Sequence, residues 1–162
     1  MTRNGKIKAM KKSGFSIIEL LISMAILVVV MAIGIIAFNP AKQFAGARNS
    51  KRMTDLNSIL VAVQQNIADT NQGGVFSCGV GDIPTTTKRM ANGAGKYDIA
   101  PCLIPIYLSS LPFDSSTSSA HYASVADYDT GYNILRSVVG TSSQIIISAP
   151  AAELGKTISV TR

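Results

Sequence analysis

The sequence contains no tryptophan, a single histidine and only two cysteines among its 162 residues. His121 has no Gly-x-Ser-x-Gly or His-Glu motif to accompany it, so no familiar catalytic constellation is available. The cysteines form neither a CxxC pair nor a Cys/His spacing typical of zinc sites. We therefore expect no enzymatic activity, and we interpret His121 as a strand residue near a turn.

Charge is almost absent from one long stretch of the chain. Within residues 13–41 the only charged residue is Glu19, and within residues 20–38 the only polar side chain is Ser23. A helix needs about 20 apolar residues to span a bilayer, so this stretch is long enough. Glu19 is the anomaly, because ionisable groups inside membranes are rare, costly and usually functional, with a partner.

The formal net charge of +6 is concentrated ahead of the apolar stretch. Five basic residues precede it: Arg3, Lys6, Lys8, Lys11 and Lys12. Without residues 1–14, ten basic and nine acidic residues remain, so the rest of the chain is nearly neutral. A basic segment before an apolar run is typical of a signal that keeps the N-terminus in the cytoplasm and exports the remainder of the chain. An ordinary secretory signal has a shorter apolar region, of about 7–15 residues, and a plain membrane anchor leaves Glu19 unexplained.

An amphipathic helix is predicted directly after the apolar segment. Five apolar residues alternate in steps of three and four: Met53, Leu56, Leu60, Val63 and Ile67. We expect an N-terminal helix over residues 15–70, with a transmembrane part at 15–38 and an amphipathic part at 41–69. Pro40 predicts either an end or a kink between the two parts.

Residues 71–162 are expected to form a globular head. The Asn-Gln-Gly-Gly turn at 71–74 ends the helix, and residues 75–105 look irregular, with a helical turn somewhere in 104–111. Short strands separated by turn signals are predicted at 121–128, 131–139, 143–149 and 157–161. The expected fold class is α+β, a long helix whose apolar stripe packs on a small antiparallel sheet.

Cys78 and Cys102 both come after the apolar segment and thus lie on the exported side. An even pair of cysteines in an oxidising compartment predicts a disulfide, with two buried free thiols as the alternative. The bond would close a loop of 25 residues, which the chain-entropy account values at about 3 kcal/mol.

The residues around Glu19 resemble a known signal. The stretch KKSGFSIIELL, residues 11–21, combines a basic leader, Gly14, Phe15 and an acidic residue at the fifth place after the glycine. It resembles the class III signal of type IV pilins and of the pseudopilins of type II secretion. The resemblance implies that prepilin peptidase removes residues 1–14, cutting between Gly14 and Phe15, and methylates the Phe15 amine. It also implies that the apolar helix becomes the core of a filament.

Three later segments resemble the same family more loosely. They are ARNSKRMTDLNSI at 47–59, YLSSLPFD at 107–114 and YDTGYNIL at 128–135. The second resembles the family's LP-x-D-P pattern, although Ser115 stands where proline is common.

The resemblance implies a structural subunit, a prepilin of a type IV pilus-like filament. Glu19 would then pair with the N-terminal amine of a neighbouring subunit and set the axial register. The implied partners are copies of the same chain, prepilin peptidase and an inner-membrane assembly platform. The chain would begin as a single-pass inner-membrane precursor and end in an extracellular or periplasmic filament. The alternatives are a major pseudopilin of type II secretion and, from another class, a monomeric membrane-anchored exported binding protein.

Calcium and nucleic acid are two further ligands to consider. Asp127 and Asp129 with Gly131 resemble part of a calcium loop, and Asp114 would complete a candidate set, as the calcium site of major pseudopilins implies. The chain lacks the distal glutamate of such loops, and Asp-Thr-Gly is first of all a turn. Nucleic acid is disfavoured, because no aromatic residues interleave with the basic cluster of Lys42, Arg48, Lys51 and Arg52. We interpret that cluster as contacting lipid headgroups before assembly and other subunits afterwards.

Overall fold

The computed structural model describes residues 14–69, 76–140 and 142–162. The chain divides into two compact units, Met1–Pro40 and Ala41–Arg162. The expected leader up to residue 13 and the turn at 71–74 lie outside the described residues. The division into a leader, a helix and a head therefore stays a prediction.

Helix α1, Ile17–Phe38, is the described body of the first unit. It has no buried residue, so its apolar side chains are exposed all round. By length and composition it is apolar enough to cross a membrane. The helical run from 17 to 69 is interrupted once, at Asn39, whose φ of 41° is left-handed. Pro40 then begins helix α2, Pro40–Asp69, since proline lacks the N–H that a first turn leaves unused.

The second unit is an antiparallel sheet covered by α2. The further elements are β1 (Lys88–Ala91), α3 (Ala100–Leu103), β2 (His121–Ser124), β3 (Asp127–Val139), β4 (Ser142–Ala149) and β5 (Ile158–Thr161). The strand order is β1-β3-β4-β5, and β2 also pairs with β3. Ile134 lies opposite Ile147, which lies opposite Val160. These inward side chains meet Leu56, Ile59 and Val63 of α2 in one core. The expected α+β fold is confirmed.

The region from 75 to 105 is more regular than the sequence suggested. Strand β1 was missed, because Lys88 and Arg89 hide any apolar alternation. Within the range 104–111, where a helical turn was expected, residues 104–107 form a turn in which the Tyr107 N–H donates to the Leu103 carbonyl at 2.9 Å. The short helix α3 just before it, with Pro101 in its first turn, was not predicted.

The disulfide between Cys78 and Cys102 is present, with Cα atoms 5.2 Å apart. Both half-cystines are partly buried against the core. The bond joins the chain beyond α2 to α3. It therefore ties the long connection between helix and sheet to the core at a point where few regular elements hold it.

The buried face of α2 is rotated relative to the expected stripe. Met53 is 40 % exposed, whereas Arg52 and Ile59 are buried. The apolar spacing could not reveal this, because the rotation brings an arginine inward, which is favourable only when partners for its charge exist.

Candidate functional site

The Gly14–Phe15 junction lies just ahead of α1 and is exposed. Among the residues that the structure describes, a methyl group added at Gly14 would meet no other atom within 4 Å, and Phe15 is 77 % exposed. Ser16 occupies the position before the helix without capping it through its side chain, and Leu20 donates its N–H to the Ser16 carbonyl at 3.1 Å. The peptide bond after Gly14 therefore lies outside the helix, and no described residue crowds it.

Glu19 lies in the first turn of α1, where the exposed N–H groups favour a negative charge. In the part of the chain that the structure describes, its carboxylate makes no hydrogen bond or ion pair. Its nearest polar neighbour along the helix, Ser23, donates its hydroxyl to the Glu19 backbone carbonyl at 2.7 Å instead. The carboxylate is thus exposed among apolar side chains one turn away from Phe15.

A second set of polar residues lies inside the head and is centred on Arg52. This side chain is 2 % exposed. Its Nε donates to Asp114 at 2.8 Å, its Nη1 donates to Asn49 at 2.7 Å and to Glu153 at 3.1 Å, and its Nη2 donates to Ser116 at 2.5 Å. The guanidinium is desolvated but satisfied on every side, as a buried charge requires.

The same network reaches two further parts of the head. Arg48 donates two hydrogen bonds, of 2.7 and 2.8 Å, to the two carboxylate oxygens of Glu153, so this ion pair is bidentate. One turn further along α2, the Tyr132 hydroxyl donates to Asp55 at 2.8 Å, and Lys51 binds the same carboxylate oxygen. Polar bonds therefore fasten α2 to the loop at 114–116, to strand β3 and to the loop after β4.

The three segments with the weaker family resemblance meet in this network. Arg52 comes from the first, Asp114 from the second and Tyr132 from the third. Sequence reasoning did not identify this contact. It assigned Arg48 and Arg52 to headgroups and other subunits, whereas the structure pairs both within the head. The sequence did contain a signal for this contact. The segment 47–59 carries arginines on a helix, and the segment 107–114 ends in an aspartate just before the predicted sheet.

The pKa values of two carboxyl groups in the network, those of Glu153 and Asp114, are lowered. The hydrogen bond from Arg48 is the main reason that the pKa of Glu153 falls from 4.5 to about 2. Burial alone would raise the pKa of Asp114, but the hydrogen bonds from Arg52 and Ser116 outweigh it and hold that pKa below its usual value. Burial, and next the hydrogen bond to Asp55, raise the pKa of the Tyr132 hydroxyl.

These shifts predict acid sensitivity of the head. A carboxyl whose pKa is lower in the folded chain stabilises it above the unfolded pKa, and this stabilisation disappears as pH falls toward the folded pKa. For Glu153 the loss should run from about pH 4.5 down to about 2. Thermal melts between pH 7 and 2 should show it, and Glu153→Gln, which cannot ionise, should flatten this part of the profile. Parallel profiles for the two proteins would contradict the assignment.

The three aspartates considered for calcium do not converge. Asp114 binds Arg52, while Asp129 binds Arg89 at 2.5 Å and Lys96 at 3.5 Å. Asp127 accepts from His121 at 3.0 Å, and this bond is the main reason that the pKa of His121 is raised. Within the described ranges, no three acidic, histidine or cysteine side chains are grouped to hold a metal. Calcium binding stays a prediction, and these pairings do not favour it.

The Asp-Thr-Gly stretch that the sequence suggested as a turn lies inside strand β3, and the turn before that strand is at 125–126. Gly131 has a special role within the strand. Its φ of 78° is left-handed, and an added Cβ would come within 3.2 Å of Asp114 and 3.3 Å of Ala120. Its N–H also donates to the Asp129 carboxylate at 3.0 Å. The glycine thus lets β3 pass close to the loop that carries Asp114.

Comparison with known proteins identifies the N-terminal segment. Residues 9–35 match the family described as the prokaryotic N-terminal methylation motif. No curated protein and no solved structure gives a match to the chain. The matched range contains the Gly14–Phe15 junction, Glu19 and most of α1. The chain therefore carries the class III signal that is typical of type IV pilin-like prepilins, which are structural subunits and not enzymes.

Proposed function

We propose that the chain is the prepilin of a type IV pilus-like filament. Prepilin peptidase cuts between Gly14 and Phe15 and methylates the new amine, and the mature subunits polymerise through α1. The methylation motif carries this proposal, and the steric openness of Gly14 and the exposed apolar surface of α1 support it. The precursor spans the inner membrane with its N-terminus in the cytoplasm, and an assembly platform there feeds the filament.

The residues at the Gly14–Phe15 junction are suited to proteolytic cleavage. Glycine presents no side chain to obstruct a protease, and the extended backbone ahead of Ile17 can enter an active site without unwinding the helix. Cleavage leaves an amine on Phe15, one turn from Glu19. In a staggered array of helices, that amine can pair with the Glu19 carboxylate of another copy, and the attraction is strong where water is excluded.

A major pseudopilin of type II secretion shares these features. The resemblance implies a calcium loop in the head of such a protein. The engagement of Asp114 and Asp129 by Arg52, Arg89 and Lys96 therefore favours the pilus subunit.

Mass spectrometry of the mature N-terminus tests the proposal. The protein isolated from cells with an active prepilin peptidase should begin at Phe15 and carry one added methyl group. Gly14→Leu should retain the leader, whereas Ser16→Ala, on the other side of the bond, should be processed normally. A wild-type chain that still began at Met1 would leave the monomeric anchored binding protein as the better account.

A further inference from the structure

A pocket of about 340 Å³ lies in the head, between the C-terminal half of α2 and one end of the sheet. Five apolar side chains line the described part of it: Leu60, Ile67, Phe76, Ile83 and Ile145. Sites for small molecules have volumes of about 300–1,000 Å³ and combine apolar walls with a few polar groups. This pocket has the size and the walls of such a site, and it is separate from the network around Arg52.

Two arginines reach the pocket from the sheet. Arg136 of β3 lies opposite Ile145 of β4, and on its other side Ile145 exchanges two backbone hydrogen bonds with Arg162, of 2.6 and 3.0 Å. Residues that lie opposite one another point to the same face of a sheet, and here all three side chains line the pocket. Since neighbouring strands are about 4.8 Å apart, the Cα atoms of the two arginines are about 10 Å apart, with Ile145 between them.

The guanidinium of Arg136 is poorly satisfied by its own chain. Among the described residues its ion-pair partner is Asp82, whose carboxylate lies 3.5 Å from Nη1, and its buried Nε has no hydrogen-bond partner. That distance is longer than the usual N–H···O bond of about 2.7–3.2 Å. Arg52, by contrast, donates from Nε and from both Nη atoms. The Arg136 side chain is 29 % exposed, so its free donors can turn toward an anion in the pocket.

Asp82 limits the charge of that anion. Its side chain is 60 % exposed, so it can turn into water when another acceptor arrives. The described lining side chains comprise two arginines and one aspartate, hence one net positive charge. A monoanion balances this charge, whereas a dianion such as a phosphate monoester would be repelled by the aspartate.

We propose that the pocket binds a small amphipathic carboxylate, a molecule with one carboxylate and an apolar body. The carboxylate accepts hydrogen bonds from Arg136 and Arg162, and the apolar body covers Leu60, Ile67 and Phe76. Guanidinium groups hold carboxylates strongly because two N–H groups can donate to the two oxygens. The site belongs to one head, so it does not depend on polymerisation.

Calorimetric titration of the full chain in lipid nanodiscs tests the class of ligand, with empty nanodiscs as the blank. The probe is 3-phenylpropionate, which should bind. Its neutral counterpart, 3-phenylpropanamide, should bind at least about tenfold more weakly, because it brings no charge to the arginines. Acetate should be weaker by a similar factor, because it buries no apolar surface. No binding of 3-phenylpropionate, equal binding of the amide, or tighter binding of phenyl phosphate would overturn the proposal.

Three variants test the site itself, and two of them should act in opposite directions. Arg136→Gln should weaken binding of 3-phenylpropionate at least about tenfold. Asp82→Asn should tighten it about two- to fivefold, because a competing exposed acceptor loses its charge. Lys156→Gln removes an exposed cation that does not line the pocket and should leave the affinity unchanged. A damaged fold cannot produce the gain, so unchanged or weaker binding by Asp82→Asn would contradict the proposal even if Arg136→Gln were unstable. Failure of the chain to form filaments would not affect these measurements, because they use separate subunits.

Discussion

Replacing Arg52 by alanine is expected to lower the free energy of unfolding of the head by about 3–5 kcal/mol. The substitution removes a cation that is 2 % exposed and leaves Asp114, itself buried, without its principal partner. Removing one member of a buried ion pair is far more damaging than removing a surface pair, because the remaining charge cannot recover its hydration. A single domain is stable by only about 5–15 kcal/mol, so this loss is a large fraction of the total.

The adjacent lysine provides the matched control. Lys51 forms an ion pair with Asp55 on the same helix, but its side chain is 55 % exposed. Lys51→Ala should therefore change the free energy of unfolding by at most about 0.5 kcal/mol. Urea unfolding of both variants, followed by circular dichroism, measures the difference. Equal losses for the two substitutions would show that the cluster around Arg52 is not a buried anchor.

A double variant measures the interaction between Arg52 and Asp114 separately from the loss of each side chain. Arg52→Ala combined with Asp114→Ala removes both charges, so neither is left unpaired in the core. Its loss of stability should be smaller than the sum of the two single losses, because both single variants break the same interaction. Strictly additive losses would mean that the two side chains stabilise the head independently.

The N-terminal signal could be predicted from the sequence, whereas the ion pair between Arg52 and Asp114 could not. Glu19 and Gly14 could be predicted as site residues because their neighbours in sequence, a basic leader and an apolar run, are sufficient to single them out. The membrane-length helix and the later strands were found for the same reason, since hydrophobic periodicity is a local property. Arg52 was missed because its partner Asp114 is 62 residues away. On a helix an arginine counts as exposed unless the fold supplies such a partner.

The same reasoning explains the misplaced stripe. The 3,4 spacing correctly located α2 and three of its buried residues, Leu56, Leu60 and Val63. It placed Met53 inside, because an apolar side chain is the default choice for a core. The polar network around Arg52 rotates the helix so that Ile59 and Ala62 are buried and Met53 is partly exposed. Which face of α2 is buried therefore depends on ion pairs with distant residues, which the apolar periodicity does not show.

The rotation also bears on assembly. With Arg48 and Arg52 bound inside the head, the charges that could bridge subunits along α2 are used within one subunit. In the proposed filament, electrostatic specificity between copies would then rest more heavily on the one carboxylate that has no partner in the described part of its own chain, that of Glu19. Its removal should therefore have a larger effect on assembly than any other single charge change in α1 or α2.

Glu19→Val is expected to abolish most filament assembly while leaving the subunit processed and inserted. Insertion should become easier, because a carboxylate in a membrane helix is replaced by an apolar side chain. Assembly should become harder, because in the proposed filament the amine of each neighbouring Phe15 would lose its counter-charge in a site from which water is excluded. Breaking a buried pair costs about 3–5 kcal/mol, which corresponds to at least about a hundredfold weaker subunit addition.

Ser23→Val is the control that isolates charge from polarity. Ser23 is the other polar residue of helix α1 and lies one turn beyond Glu19, but its hydroxyl donates to the Glu19 carbonyl within the same helix. Its removal should leave filament yield close to that of the wild type. Yields are compared by electron microscopy and by shearing, alongside the mass of the mature N-terminus. If Glu19→Val and Ser23→Val assembled equally well, the carboxylate would have no part in subunit registration. If both failed, the surface of α1 as a whole, rather than one charge pair, would control assembly.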